Sequence, residues 1–206
     1  MVPDAHAAPA HSSAAHGAHA DAHGGATSSA AAADAAAAGD GRTRCTWVAG
    51  RPEHFEVHDA EWGMLPDEDP LARERLLLTC FQRDLPLAEV LDHRMEIWDA
   101  FPGCDFAKIA AMDDAALGAA AAKGGILADR GRLAWIRDVA AAGAETVKQT
   151  KDFREYLLAL RWTSHEAQIA DLTARFPGFT ALDAARFLEN TGIVEGCSHE
   201  RDCWRA

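Results

Sequence analysis

Four side chains in this 206-residue chain carry metal-ligand chemistry: Cys45, His58, His199 and Cys203. They form a C-x12-H pair and an H-x3-C pair. Thiolate sulfur and neutral imidazole nitrogen suit tetrahedral zinc. A gap of three residues sets two ligands on one helical face or in one tight loop. About 140 residues separate the pairs, so spacing alone leaves two readings open. One is a single metal centre. The other is two buried cysteines and two surface histidines. Cys197 stands as a spare thiol beside the second pair. The five cysteines are odd in number and widely spaced. With no secretion signal in view, they fit a reducing compartment such as the cytoplasm, with thiols buried or on metal.

The elements that must position these groups read as helices from Cys45 onward. Asp69-Pro70 is a start signal, with proline at the first helical position, and predicts a helix over Leu71 to Arg83. Leu87, Val90, Leu91, Trp98 and Phe101 fall on one face of a second. Asp105 is placed to cap Phe106 to Met112, and Asp113 to cap Asp114 to Lys123 before Gly124-Gly125. Leu133, Ile136, Val139 and Ala140 predict a helix ending near Gly143. Phe153, Leu157 and Leu160 predict the next. Thr163 and Glu166 stand at capping-box spacing before Ile169, Leu172 and Phe176. Thr180 opens a last helix through Ala184, Phe187 and Leu188. No period-two strand is visible, so the fold is expected to be all-α.

Residues 1–44 read as a disordered Ala/His-rich tail and 45–206 as the folded domain. The tail has no large apolar side chain after Val2 and cannot offset its ordering entropy. It holds His6, His11, His16, His19 and His23. These suit weak metal scavenging or, on the blander reading, composition drift in a solvated segment. No apolar run outside the alanine tract is long enough to span a membrane, so no membrane partner is expected, and a monomer is. The net charge of −12 lies mostly on the folded part.

Two motifs near the start carry a family resemblance. Arg44-Cys45-Thr46-Trp47-Val48 precedes Val57-His58-Asp59-Ala60-Glu61-Trp62-Gly63. Together they resemble the opening of the DNA-3-methyladenine glycosylase I family, R-C-x-W-V followed by Y-H-D-x-E-W-G. The likeness continues through Leu78 to Leu87, which stands for L-E-G-F-Q-A-G-L-S-W, and through Gly125 to Arg130, for G-I-I-R-N-R. It runs from about residue 44 to 204. The resemblance implies a helix-hairpin-helix glycosylase domain. It also implies a structural zinc on Cys45, His58, His199 and Cys203, closed to substrate and tying the chain ends together. Phe176-Pro177-Gly178-Phe179-Thr180 is similar to the helix-hairpin-helix turn, commonly Leu-Pro-Gly-Val-Gly, which points backbone N–H groups at a DNA phosphate. Here Thr180 replaces the second glycine.

In the family the substrate is a flipped, alkylated adenine in damaged DNA, read by a glutamate, a tyrosine and a tryptophan. This chain has Thr79, Val57 and Leu87 at those positions. A carboxylate is lost and two π-faces become aliphatic. Cys80, Gln82 and Glu61 are candidate replacements in the same segments. Cys80 reads either as a nucleophile activated by a nearby cation or as a small buried filler. The function implied is N-glycosidic hydrolysis of an alkylated purine in base excision repair. The alternatives are a diverged member acting on a small-molecule substrate and a non-catalytic binding protein. Around the hairpin, Glu166, Asp171 and Asp183 face Arg175 and Arg186, which makes no basic patch in sequence.

Overall fold

The computed structural model describes residues 39–194 and 199–205. Among them there are nine α-helices and no strand. The α-helices are α1 Asp69–Phe81, α2 Leu87–Asp92, α3 Arg94–Ala100, α4 Phe106–Ala110, α5 Asp114–Ala121, α6 Arg130–Gln149, α7 Phe153–Arg161, α8 His165–Arg175 and α9 Ala181–Asn190. The expected all-α architecture is what forms. Most of the tail, and Cys197, lie outside the described residues. Asp40, Thr43 and Arg44, grouped with the tail by sequence, contact the domain. Arg44 is buried and pairs with Asp40 and Asp59, and the Thr43 carbonyl accepts from the Trp204 N–H.

Helix α1 runs through the centre. Ala72, Leu76, Leu77, Leu78, Cys80 and Phe81 are all fully buried, so apolar residues surround it rather than form a stripe. Helices α6, α7 and α9 pack on it, and α8 packs on α9. Phe153 anchors the far side, ringed by Phe106, Tyr156, Phe176 and Phe187 at centroid distances of 5.0 to 6.3 Å. No helix among the described residues is long and apolar enough to cross a membrane.

Three local expectations change. The second helix is two, α2 and α3, broken at His93 (φ −106°, ψ 14°). The His93 carbonyl accepts from the Ile97 N–H and starts α3 in a new direction, while Val90, Leu91, Ile97 and Ala100 stay buried. Helix α6 continues past Gly143 to Gln149. Gly143 is not a stop: a Cβ there would lie 2.5 Å from the Phe106 ring, so glycine admits the close crossing of α4. The Thr163/Glu166 capping box does not form. Ser164 is the N-cap, accepting from the Ala167 N–H, while the Thr163 hydroxyl donates to the Leu160 carbonyl. The caps at Asp105, Asp113 and Thr180 are as expected.

Candidate functional site

The first and last described segments meet at Cys45, His58, His199 and Cys203. Their ligand atoms lie within 4.8 Å of one another. The Cys203 Sγ is 3.3 Å from His58 Nε2 and 3.8 Å from His199 Nδ1, and the Cys45 Sγ is 3.5 Å from His199 Nδ1. Bond lengths of about 2.0 to 2.3 Å around a tetrahedral ion give ligand–ligand edges of roughly 3.3 to 3.8 Å, so the four residues fit a metal ion. His58 sits in a short π-helix, Val57–Glu61, closed by the Trp62 N–H on the Val57 carbonyl. That extra residue in the turn buries the imidazole completely. Its Nδ1 donates to Asp59 Oδ1 at 2.7 Å, which fixes the tautomer and makes Nε2 the acceptor, here meeting the Cys45 N–H at 3.3 Å and suited to a metal.

Electrostatics fit the same group. Burial lowers both imidazoles, keeping them neutral as ligation requires. Burial also pushes the Cys45 thiol up to about 12. A bound cation reverses that preference and takes the thiolate. Asp59 is the hub beside the cluster. It binds Arg44 in two places and the Trp204 indole N–H, and its backbone carbonyl accepts from Arg205. Glu200 accepts from the Thr46 N–H and hydroxyl. The cluster therefore joins chain segments 154 residues apart.

The same two segments carry the walls of a cavity. Trp47 follows Cys45 by two residues, and Trp62 follows His58 by four. Their rings meet edge-on at 5.8 Å, and Trp47 lies 5.5 Å from the His58 ring. With Gln82, Leu85, Pro86, Leu87, Arg186, Glu189 and Asn190 they line an open cavity of about 290 Å³. Holding Cys45 and His58 together thus also sets the angle between two indoles.

Leu87 lines the indole cavity. Val57 lines a separate depression of about 420 Å³ with Glu53, His54, Leu91, Asp92, Arg94 and Met95. Thr79 is fully buried beneath the indole cavity, and its hydroxyl donates to the Arg75 carbonyl and accepts from Asn190 Nδ2 at 2.9 Å. The other Nδ2 contact is Gln82 Oε1 at 2.5 Å. Cys80 is fully buried, and burial raises its thiol far above its ordinary value. Glu61 binds Arg75 and Arg94. Burial pushes its carboxyl up, but those two guanidiniums outweigh burial and hold it below its usual value. Asn190 was missed in sequence, because its role depends on α9 crossing α1, 111 residues from Thr79. The π-faces lost at Val57 and Leu87 leave Trp47 and Trp62 in place.

The hairpin between α8 and α9 lies at the edge of this region. Gly178 takes φ 73°, and a Cβ there would press on Trp135 Nε1 at 2.9 Å. The indole N–H of Trp135 donates to the Pro177 carbonyl, and Arg83 stacks on its ring and donates to the Gly178 carbonyl. Arg83 and Arg132, outside the hairpin, line a depression with Trp135, each paired with a carboxylate, Asp183 and Asp84, and Arg186 stands on α9 itself. At the N-terminus of α9, Thr180 and Asp183 form a reciprocal capping box, and Arg83 pairs with Asp183 at 2.6 Å.

Comparison with known proteins agrees with this arrangement. Residues 47–184 match the methyladenine glycosylase family model. The DNA-3-methyladenine glycosylase 1 of Escherichia coli (strain K12) is 26% identical over 130 residues, covering 63% of this chain and 68% of that protein. The 3-methyladenine DNA glycosylase I of Staphylococcus aureus superposes with a TM-score of 0.67 at 18% identity, over 79% of this chain and 95% of that one. A second structure of a 3-methyladenine DNA glycosylase I gives 0.67 at 21% identity, over 78% and 98%. The structural likenesses establish the fold, and the match over two thirds of the sequence establishes the lineage: this chain belongs to the methyladenine glycosylase family.

Proposed function

We propose that the chain is a DNA glycosylase that flips an alkylated purine into the cavity between Trp47 and Trp62 and hydrolyses its N-glycosidic bond. The observation that carries this reading is the cavity itself, two indoles over a floor of neutral amides, in a chain of this family. An alkylated purine nucleotide already bears positive charge, so the base departs without strong acid assistance. The protein has to extrude it, hold it and admit water. Indole faces favour such a ring by about 0.5 to 2 kcal/mol each. The hairpin, with Arg83, Arg132 and Arg186 beside it, would take the DNA backbone.

The Cys45, His58, His199, Cys203 cluster suits zinc by donor type, with no position left for substrate. Its role is to hold the Trp47 and Trp62 segments. Free buried thiols at Cys45, Cys80, Cys104 and Cys203 suit a reducing compartment, and we place the protein in the cytoplasm. The test is abasic-site formation in a methylated duplex. Cleavage after mild alkali that disappears in Trp47→Ala supports the reading. No abasic sites, with a duplex affinity no better than that of an unrelated acidic protein, would reject it in favour of a small-molecule or non-catalytic role.

A further inference from the structure

The buried amides of Gln82 and Asn190 are tied into an order that leaves one donor and one acceptor unused. The Thr79 hydroxyl gives its only proton to the Arg75 carbonyl at 2.8 Å. Towards Asn190 it therefore acts only as an acceptor, and the group it meets must be the Asn190 NH2. The second proton of that NH2 goes to Gln82 Oε1. This fixes both amide orientations. Asn190 Oδ1 and Gln82 Nε2 then have no protein partner among the described residues. Their side chains are 3% and 7% exposed, and both line the indole cavity. Both atoms are thus open to a ligand that supplies the missing donor and acceptor.

We infer that Asn190 and Gln82, locked by Thr79, are the base-reading pair of this site, and that they select a purine presenting a ring-nitrogen acceptor beside an exocyclic amine. Gln82 Nε2 donates to the ring nitrogen, and Asn190 Oδ1 accepts from the amine. Adenine shows this pattern at N7 and N6, the same edge that amide side chains read in duplex DNA. A single carboxylate only accepts, so it reads the amine alone. Thr79 acts as a positioning residue: its hydroxyl never meets the base, and it keeps the Asn190 oxygen turned to the cavity. The inference rests on the base-pocket reading above and adds the residues and the edge that give selectivity.

The test uses the full chain, the quenching of Trp47 and Trp62 fluorescence, and two neutral free bases, 3-methyladenine and 3-methylpurine, which lacks only the 6-amine. The wild type should bind 3-methyladenine at least tenfold more tightly. Asn190→Ala should reduce that ratio to about one. Thr79→Val, which frees the amide without altering the cavity wall, should lower the ratio towards one. Circular dichroism confirms that each variant is folded, and the Thr79→Val arm decides if Asn190→Ala is not. Equal binding of the two bases by the wild type, or a ratio that survives both substitutions, overturns the assignment of Asn190 and leaves the base pocket standing. If neither base quenches fluorescence, the base-pocket reading falls with it.

Discussion

Removing one ligand of the Cys/His cluster should loosen the chain ends and blunt the cavity without unfolding the helical core. Consider Cys203→Ser. The cluster closes a loop of 154 residues between Cys45 and His199. A cross-link of that span restricts the unfolded chain by roughly 5 kcal/mol in the chain-entropy model. The full binding free energy of a structural zinc in a small domain is larger, on the order of 10 kcal/mol, because there the metal organises everything. Here a core from Ala72 to Ile193 stands without it. Contacts of Glu200 with Thr46 and of Asp59 with Trp204 also still hold the ends. The expected loss is therefore about 2 to 4 kcal/mol, or roughly 5 to 15 °C in Tm for a domain of this size. Near-ultraviolet circular dichroism should lose the Trp47–Trp62 signal before the far-ultraviolet signal falls. Metal analysis should find about one zinc per wild-type chain and much less in the variant. Unchanged zinc content in Cys203→Ser, or an unchanged Tm after stripping by a strong chelator, would refute the assignment.

Other expectations rest on buried charge and packing. Arg94→Met should cost about 3 to 5 kcal/mol in denaturant melts, because Glu74 is buried and takes both its hydrogen bonds from Arg94 at 2.6 and 2.7 Å. Arg75→Met should change stability by no more than about 1 kcal/mol. Arg75 Nε and Nη1 have no hydrogen-bond partner among the described residues, and Glu61 keeps Arg94 when Arg75 is gone. Burial pushes the Asp183 carboxyl up, but hydrogen bonds from Arg83 and from the Thr180 N–H and hydroxyl outweigh it and hold it below the usual range. Its contribution is thus complete above the unfolded value of about 4 and lost as pH falls through the lower folded value. Asp183→Asn should flatten the decline of Tm below pH 4, and an equally steep decline would contradict the pairing with Arg83. Gly143→Ala gains about 1 kcal/mol of helix propensity but forces the Phe106 ring aside, so a net loss of stability is expected in thermal melts.

Much of the fold was legible because local signals agreed with tertiary packing. Asp105, Asp113 and Thr180 each start a helix where cap chemistry puts it, and α1 starts one residue earlier than Asp69-Pro70 signals, with Pro70 second in the helix and Glu68 before it making no side-chain cap. The misreadings came where long-range packing decided. Gly143 looked like a stop until Phe106 was found lying on it, and the break at His93 follows the bend of α2 and α3 around buried Ile97. The metal ligands were legible as residue types, and the family motif brought the two pairs together. The cavity was less legible. Of the positions that depart from the family pattern, Leu87 lines the cavity and Thr79 bonds to Asn190, which also lines it. Two side chains that line it are Gln82, just after the end of α1, and Asn190, at the end of α9, 108 residues apart in sequence. Periodicity places both on buried faces and says nothing of which amide atom is left to meet a ligand.

Single-turnover release of 3-methyladenine from a methylated duplex bears on all of this at once, measured for the full chain and for Trp62→Ala under identical salt. Release by the wild type, with a fall of at least a hundredfold in Trp62→Ala, is the predicted result. Absence of release by folded, zinc-loaded wild type, or release that is indifferent to Trp62, would contradict a base-excising cavity between the two indoles.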